Sequence, residues 1–549
     1  MKLSWIGIAV GLSGGVAHAG GLLLPGSGVV STSRAGAAVA SADDAEAIVI
    51  NPAGIAKSHG TVITLGIDAI SYAASFQRAG NYPTTTMEAS TFSGQPFPKV
   101  TNNAKPPLGI GSYQPIPLIG IVSDLNGLVP KLHVGFSVYA PNSYPFRDFN
   151  TVNGEPYYFK NANGSYSFPA FGAAPPPSRY DIVEQEASII LPTIAAAYEV
   201  LPNLDIGARF SAGIAQLKST VGLWGLANYT QDPTVDGLVT INATDKFVTT
   251  YGFGATYQPT RNIELGAQWS APIDIHAEGD VYSSTGPNVT LNGNPVSITP
   301  VSDATAACEK GGTAAVLKGC VDVEIPMTAT IGGRWKFVDD AGKQRGDVEL
   351  NLGWEHWGAG CDYSSGITNC LDPSDYHVTI DGQVSTPLAP GLGVNLKPQL
   401  VEHGFQDTYA VRLGGSYVFP ISQGNDIIVR GGVSYDSAAA KPGWERLDLD
   451  GAARTMFAFG GSYKLERVSI DAGFAYIYEG SRTNNRNCNP TSLMQGCAAD
   501  GTPNTFANQT GPNPTLPTSQ FNEQLEDPVN EGTITSSYVM FMLGASTWF

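Results

Sequence analysis

The stretch VSIDAGFAYIYEG, residues 468–480, alternates with a period of two. Val468, Ile470, Ala472, Phe474, Tyr476 and Tyr478 fall on one face, and Ser469, Asp471, Gly473 and Ala475 on the other. Side chains of a strand point alternately to opposite faces, so this segment reads as a strand whose apolar face ends in aromatics. DVELNLGWEH (347–356) repeats the pattern, with Val348, Leu350, Leu352 and Trp354 opposing Glu349, Asn351 and Glu355. A soluble sandwich alternates in the same way, so the spacing of such segments has to decide.

From residue 61 onward about fourteen candidate strands follow, near 61–76, 108–122, 131–140, 184–200, 203–220, 246–258, 262–282, 321–337, 346–358, 407–420, 426–438, 453–465, 468–481 and 533–549. Their connections alternate in length. Short turns such as LPN (201–203), QPTRN (258–262), ISQGN (421–425) and ERV (466–468) take turns with long loops at 141–183, 221–245, 283–320, 359–406, 439–452 and 482–532. An even strand number with turns on one side and long loops on the other is the pattern of an outer-membrane barrel. The expected fold is therefore all-β: a transmembrane antiparallel β-barrel of about 14 strands over 61–549. The chain ends SSYVMFMLGASTWF (536–549), which resembles the C-terminal signal of bacterial outer-membrane barrels.

Composition agrees. Glycine is high at 64, Tyr and Phe together number 45, and charged residues make up only 14%. MKLSWIGIAVGLSGGVAHA (1–19) has an early lysine, an apolar stretch and an Ala-His-Ala end, the form of a secretory signal peptide. No later segment offers the run of about 18 apolar residues that a spanning helix needs, so a membrane location requires a barrel. Without Lys2 the chain carries 29 basic and 48 acidic residues, a formal charge of −19. Nucleic acid is excluded as a partner, because phosphate binding needs a basic footprint.

The six cysteines form three local pairs, all in or beside long loops: Cys308 with Cys320, Cys361 with Cys370, and Cys488 with Cys497. None is a C-x₂-C, so three disulfides in an exported protein are expected and no metal or cofactor site is. Catalysis is not expected either. The only G-x-S-x-G, GLSGG at 11–15, lies in the leader, and His59, His133, His276, His356, His377 and His403 form no H-E-x-x-H. His356, flanked by two tryptophans, reads as part of an interfacial girdle.

The segment 20–60 precedes the first strand and is patterned differently. STSRAGAAVASADDAEAIVINPAGIAKS (31–58) holds two Ala-rich helical stretches, with Ser41 or Asp43 available as an N-cap. Pro52 ends the second by removing an N–H and holding Asn51 extended. A compact segment tethered to the first strand has little room except inside the barrel, so 20–60 reads as a hatch.

With the glycine-rich start, SRAGAAVASADDAEAIVINPAGIA, LPTIAAAYEVLPNLDIGARFS, YGFGATYQPTRNIELGAQW, IPMTATIGGRW, ELNLGWEHWG and IIVRGGVSYD in this order, the chain resembles the FadL-type outer-membrane transporters of long-chain fatty acids and aromatic hydrocarbons. The cysteine pairs and the loops at 141–183 and 482–532 depart from that pattern and put the ligand in question. The resemblance implies a fourteen-stranded barrel closed by the hatch. It also implies loop capture of a hydrophobic ligand, an apolar lumen pocket, and sideways release into outer-membrane lipid through a gap in the wall. A long-chain fatty acid is the first expectation, and an aromatic or alkane hydrocarbon the second. A surface binding or adhesion barrel is the reading from another class. A monomer is expected.

Candidate residues follow. In the hatch, Arg34, Asp43, Asp44, Glu46, Asn51, Pro52 and Ala53 are the gating candidates: the three acids are the expected anchors, and Asn51, Pro52 and Ala53 shape the bend. Alternation places Arg209, Arg334, Arg412 and Arg430 on lumen faces. They can bind a ligand carboxylate, but ion pairs to the hatch acids are preferred, since charges inside a barrel usually pair. Pro115 and Pro117 cannot donate ladder bonds, which suggests the lateral opening near them. The aromatic loop 141–183 and GLWGLANY (222–229) are either a greasy landing surface for ligand or loops packed on themselves.

Overall fold

The computed structural model describes residues 21–549 except 83–91, 170–172, 224–232, 287, 292–293, 359–374, 387–388, 397, 402, 404, 423, 441–444, 450 and 485–531. The expected leader and most of GLWGLANY lie outside the described residues. So do two of the three expected disulfides, the one between Cys361 and Cys370 and the one between Cys488 and Cys497.

Fourteen antiparallel strands form one closed barrel. They are β1 (Thr61–Arg78), β2 (Gln114–Ser123), β3 (Leu132–Tyr139), β4 (Glu184–Leu201), β5 (Leu204–Leu223), β6 (Gly237–Thr260) and β7, which runs in two pieces (Ile263–Ser270 and Ile273–Thr285). There follow β8, also in two pieces (Leu317–Ile325 and Thr328–Val338), β9 (Gln344–Glu355), β10 (Thr408–Ser422), β11 (Asn425–Asp436), β12 (Arg454–Lys464), β13 (Val468–Asn484) and β14 (Gly532–Trp548). Each strand pairs with its neighbour in sequence, and β1 closes the ring on β14 from Val62↔Trp548 to Arg78↔Gly532. The short turns, such as 202–203 and 465–467, lie at one end, and the long connections, including 79–113 and 140–183, at the other.

In the turn-side half the outward residues are apolar and the inward ones polar. Leu265, Ile331, Phe541 and Leu543 are 44%, 58%, 51% and 65% exposed, while Asp68, Asp347 and Glu349 are buried in the lumen. That is the inside-out order a lipid solvent demands. On the loop side of β6, β7 and β8 the order reverses. Ile241, Ile275, Val321 and Ile325 are buried inside, and Asp274, His276 and Glu278 face outward. The reversal coincides with a row of irregularities. The β5–β6 register shifts between Gly213 and Ala215, β7 breaks at Ala271-Pro272, and β8 breaks at Pro326-Met327. A slip of one residue turns every following side chain to the other face, so these breaks convert a lipid-facing wall into one with an apolar lumen. β6 has 24 residues, well beyond the 9–11 or so that cross the hydrocarbon, so the wall continues above the membrane.

The structure corrects the expected segments at these places. The candidates 262–282 and 321–337 are each broken at a proline, β6 begins at Gly237 inside the expected loop 221–245, and β2 begins only at Gln114. The first connection, 79–113, is a long one that the loop pattern did not include.

Candidate functional site

The segment from Gly21 to Gly60 fills the turn-side lumen. Its helices are short, Val29–Thr32 and Ala47–Ile50, followed by a 3₁₀ turn Pro52–Lys57. Neither Ser41 nor Asp43 caps them. Glu46 is the N-cap of the second helix, without a side-chain capping bond, because its carboxylate turns instead to Val30 N and Ser31 N at 2.8 Å each. Asn51 is extended (φ −162°, ψ 101°) ahead of Pro52, as the residue before a proline prefers. Its side chain then accepts from Ala53 N (3.2 Å) and donates to Val39 O (2.7 Å) and to Ala255 O of β6 (3.1 Å). Asn-Pro-Ala thus joins two parts of the segment to the wall.

The anchors are the reverse of those expected. Cations of the hatch segment meet acids of the wall. Arg34 donates to both oxygens of Asp347 (2.9 and 3.1 Å) and to Glu349 Oε2 (3.2 Å), and Lys57 Nζ lies 2.7 Å from Glu264 Oε1. Asn351 Oδ1 accepts from Ala38 N and Val39 N, and Glu349 Oε1 from Ala40 N. Asp43 is exposed, Asp44 Oδ1 accepts from Glu46 N, and among the described residues neither they nor Glu46 form an ion pair with a wall arginine. The physical reason is local. Acids and arginines sit side by side on the same lumen faces, so Arg334 pairs with Asp347 (2.5 Å) and Glu264 (3.0 Å), Arg412 with Asp436 (3.4 Å), and Arg430 lies 3.7 Å from Asp471. Arg209 alone of the four turns to the hatch, donating to Ile48 O (3.3 Å) and Val49 O.

Glycines let the hatch reach the wall. A Cβ at Gly254 would overlap Asn51 Oδ1, one at Gly207 the Pro52–Ala53 peptide, and one at Gly266 Val39 O. At Gly414 it would lie 2.6 Å from Arg34 O, at Gly120 2.7 Å from Ala45 Cβ, and at Gly135 2.8 Å from Ile48 Cδ1. These six belong to β5, β6, β7, β10, β2 and β3, and together they make a collar around the hatch.

Above the collar, Gly21–Gly28 crosses the lumen between two cavities. Arg454 Nη1 donates to Leu23 O (2.7 Å) and its Nη2 to Gly21 O, while Asn142 accepts from Leu24 N (2.8 Å) and donates to Gly26 O (3.1 Å). The upper cavity, of ≈ 80 Å³, is lined by Leu22, Ile189, Leu217, Ile275, Val323 and Trp357 among others, and among the described residues no lysine, arginine or histidine borders it. The lower, of ≈ 180 Å³, is lined by Leu23, Leu24, Thr250, Ser270, Thr328, Trp354, Arg209 and Arg412. Among the described residues, the Nε atoms of Arg209 and Arg412 have no hydrogen-bond partner.

The wall is interrupted beside these cavities. β3 pairs with β2 only from Leu118↔Tyr139 onward, and with β4 only up to Leu191↔Tyr139. The chain then turns inward through 140–146, where Asn142 reaches Thr32, Asp68 and Gly26, and rejoins β4 at Arg147↔Gln185. Residues 114–117 of β2 and 186–190 of β4 are therefore left without a strand between them. Pro115 and Pro117 edge this break, paired with β1 on their other side. Pro145 of the inward segment lines the upper cavity.

A family model described as outer membrane protein transport protein (OMPP1/FadL/TodX) matches residues 183–509, more than half of the 549. The chain belongs to this family. It is accordingly a barrel of the bacterial outer membrane. Solved structures agree on the FadL-type fold. A FadL homologue of Pseudomonas aeruginosa superimposes with a TM-score of 0.63 at 14% identity, covering 96% of this chain and 100% of that one. The toluene transporters TodX of P. putida and TbuX of Ralstonia pickettii give 0.56 and 0.55 at 13% and 16% identity, each covering 96% of this chain and 99% of theirs. No curated protein sequence matches the chain.

Two further readings of this FadL-type chain meet the structure in its loops. Trp357 is 1% exposed against the upper cavity, so it is not a girdle residue, and His356 instead shares Asp407 with Trp354 at 2.9 Å each. The aromatics of the loop 141–183 are mostly buried, Tyr157, Tyr158 and Tyr166 against one another and Tyr144 and Phe149 against the barrel wall; among the described residues of the loop the only aromatic that stands clear is Phe159, at 54%. Of the three expected disulfides, the one among the described residues is formed: Cys308 and Cys320 are bonded on the loop side (Cα–Cα 5.6 Å).

The loops are also tied by His403 and Arg446, which hold Asp448 at 3.0 and 3.3 Å. Burial raises the affinity of Asp448 for its proton, but its contacts with His403 and Arg446 outweigh that and keep the carboxyl well below the ordinary range. A depressed carboxylate stabilises above its unfolded pKa of about 3.9 and loses that contribution as pH falls through its folded value. Asp448→Asn is therefore expected to lower the melting temperature at neutral pH. The difference from wild type should shrink in melts taken progressively below about pH 3.9.

Proposed function

We propose that the protein takes up hydrophobic molecules across the outer membrane without energy input, with a long-chain fatty acid as ligand. The reading includes export on a leader ending at Ala19, a hatch at 20–60, and exit through the break beside Pro115 and Pro117. The observation that carries the acid is the stacking of two unlike cavities. The upper accepts an acyl chain, whose burial is worth about 0.8 kcal/mol per CH₂. The lower is bordered by Arg209 and Arg412, whose buried Nε atoms have no hydrogen-bond partner among the described residues, so that a carboxylate entering it meets two guanidinium groups. The upper cavity is too tight for a chain as it stands. It is smaller than the dry cavity of about 150 Å³ that accommodates benzene, so binding must displace Leu22 and Pro145.

The break and the strap formed by Gly21–Gly28 are coupled in this scheme. Asn142 bonds the strap through Leu24 and Gly26 and belongs to the inward segment, so lifting the strap loosens the segment that fills the gap. A hydrophobic molecule leaving sideways enters the acyl layer and avoids the periplasm.

The test is Arg412→Gln, assayed with labelled oleate and labelled toluene. A charge-assisted hydrogen bond is worth about 1.5–3 kcal/mol, so oleate affinity should fall roughly 10- to 100-fold while toluene is unaffected. Equal effects on both ligands, or none on oleate, would sink the acid. A second reading, an aromatic hydrocarbon, is favoured by the absence of any cation among the described residues around the upper cavity and by the fold shared with TodX and TbuX, described as toluene transporters.

A further inference from the structure

The segment KPPLGIGSY, residues 105–113, belongs to neither the hatch nor the ladder of the wall, and it presents two of the most exposed apolar side chains of the molecule. Leu108 is 78% exposed and Ile110 86%. The segment is nonetheless well formed. Gly109 N donates to Pro106 O (2.9 Å), and Ile110 and Tyr113 exchange both main-chain bonds (3.0 and 3.2 Å) around Gly111, whose φ of +64° suits the glycine found there. Chain geometry thus holds Leu108 and Ile110 outward, and no other part of the described protein covers them.

Its position says what does. On one side Ser112 Oγ lies 2.8 Å from Ser71 Oγ of β1, and the Tyr113 ring sits 5.7 Å from that of Phe541 on the outer face of β14. Phe541 and Leu543 are 51% and 65% exposed, part of the lipid-facing band, while further along β14 the outward residues are Ser537, Thr535 and Thr533. The hairpin therefore lies at the loop-side edge of that band. Outward aromatics mark this edge on neighbouring strands, where the register row runs Phe457, Tyr476, Val539 and then Ser71. The row has no aromatic at Val539 of β14 or at Ser71 of β1, and Tyr113 of the hairpin supplies one beside these two strands. Lys105, at the base, is the only charged residue of the segment, and its stem suits a position between head groups and acyl chains. On the other side, Tyr144 of the inward segment donates to Ser112 O (2.7 Å), and Asn103 N donates to Asp148 O (2.8 Å) where the wall resumes. The hairpin is thus a rim of the break between β2 and β4.

We propose that residues 106–113 form a lip that inserts Leu108 and Ile110 among the acyl chains of the outer leaflet and receives ligand as it leaves the break. The occupant is lipid, because the hairpin continues the lipid-facing band and two such side chains left in water would form an exposed patch with nothing to offset its cost. The insertion stands on geometry alone. The hand-off rests on the side-exit reading above.

The experiment places benzoylphenylalanine, a photocrosslinker, singly at positions 108, 110, 541 and 159 of the full chain in native outer membranes. Lipid adducts are expected at 108 and 110 as at 541, and none at 159 in the outer loop. Adducts at 541 without adducts at 108 and 110 would overturn the insertion. A double variant, Leu108→Asp with Ile110→Asp, then tests the hand-off at matched surface level. Oleate and toluene uptake are both expected to drop severalfold; unchanged uptake together with lipid adducts at 108 would overturn the hand-off. Loss of the acid preference in the Arg412→Gln assay touches neither outcome, so the two readings fail separately.

Discussion

Arg34→Ala should open the barrel. The Arg34 side chain is 3% exposed and satisfies both oxygens of Asp347 and one of Glu349, themselves fully buried. Removing one member of a buried pair leaves an uncompensated charge and costs about 3–5 kcal/mol. Arg334 still neutralises part of Asp347, so the lower end of that range applies. The ladder of the wall does not depend on Arg34, so the barrel still assembles and inserts, and the loss falls on hatch docking. In planar bilayers the variant is expected to conduct ions where the wild type is nearly silent, and cells carrying it should admit large hydrophilic antibiotics. Arg34→Lys keeps the charge but not the two-pronged contact, and should lie between the two. A silent Arg34→Ala barrel would mean that the hatch is held without this anchor.

Gly254→Val is expected to have a comparable effect by a different route. The added Cβ would overlap Asn51 Oδ1 and lie 2.9 Å from Pro52 Cδ, so neither a rotamer change nor a small shift accommodates it. Overpacking costs about 1–3 kcal/mol where side chains can adjust, and more where they meet a fixed bend such as Asn51-Pro52. Gly431→Val is the control, since the nearest atom to its Cβ, Ala458 O, is at an ordinary 3.7 Å. Hydrogen exchange over residues 29–57 should rise sharply in Gly254→Val and remain at the wild-type level in Gly431→Val. Equal protection in both would remove the glycine collar as the hatch's seat.

Much of this architecture is written in the periodicity. Where lipid bathes the wall, every second residue of a strand must be apolar, and VSIDAGFAYIYEG or DVELNLGWEH carries that requirement openly. Beyond the membrane the requirement lapses. The reversed polarity of β6 to β8 and the phase slips at Pro272 and Pro326 follow from an apolar cavity, which leaves no periodic mark of its own. Asn51-Pro52 is readable because its effect is local to three residues. The anchors are not, because whether Asp44 or Asp347 meets an arginine depends on which strands the hatch touches. A fainter clue is present all the same: Glu349 and Asn351 share the inward face of β9, and glycines recur on the inward faces of successive strands. Together these describe a wall shaped to grip an inserted segment.

The central claim is selective passage of hydrophobic molecules through a closed barrel. It is tested most directly by uptake in cells lacking the protein and then regaining it, with labelled oleate, labelled toluene and a small hydrophilic sugar measured side by side. Oleate entry is expected to return with the protein while sugar entry does not change. Sugar entry rising alongside it would describe an open pore, and oleate and toluene entry both unaffected by the protein would contradict the claim outright.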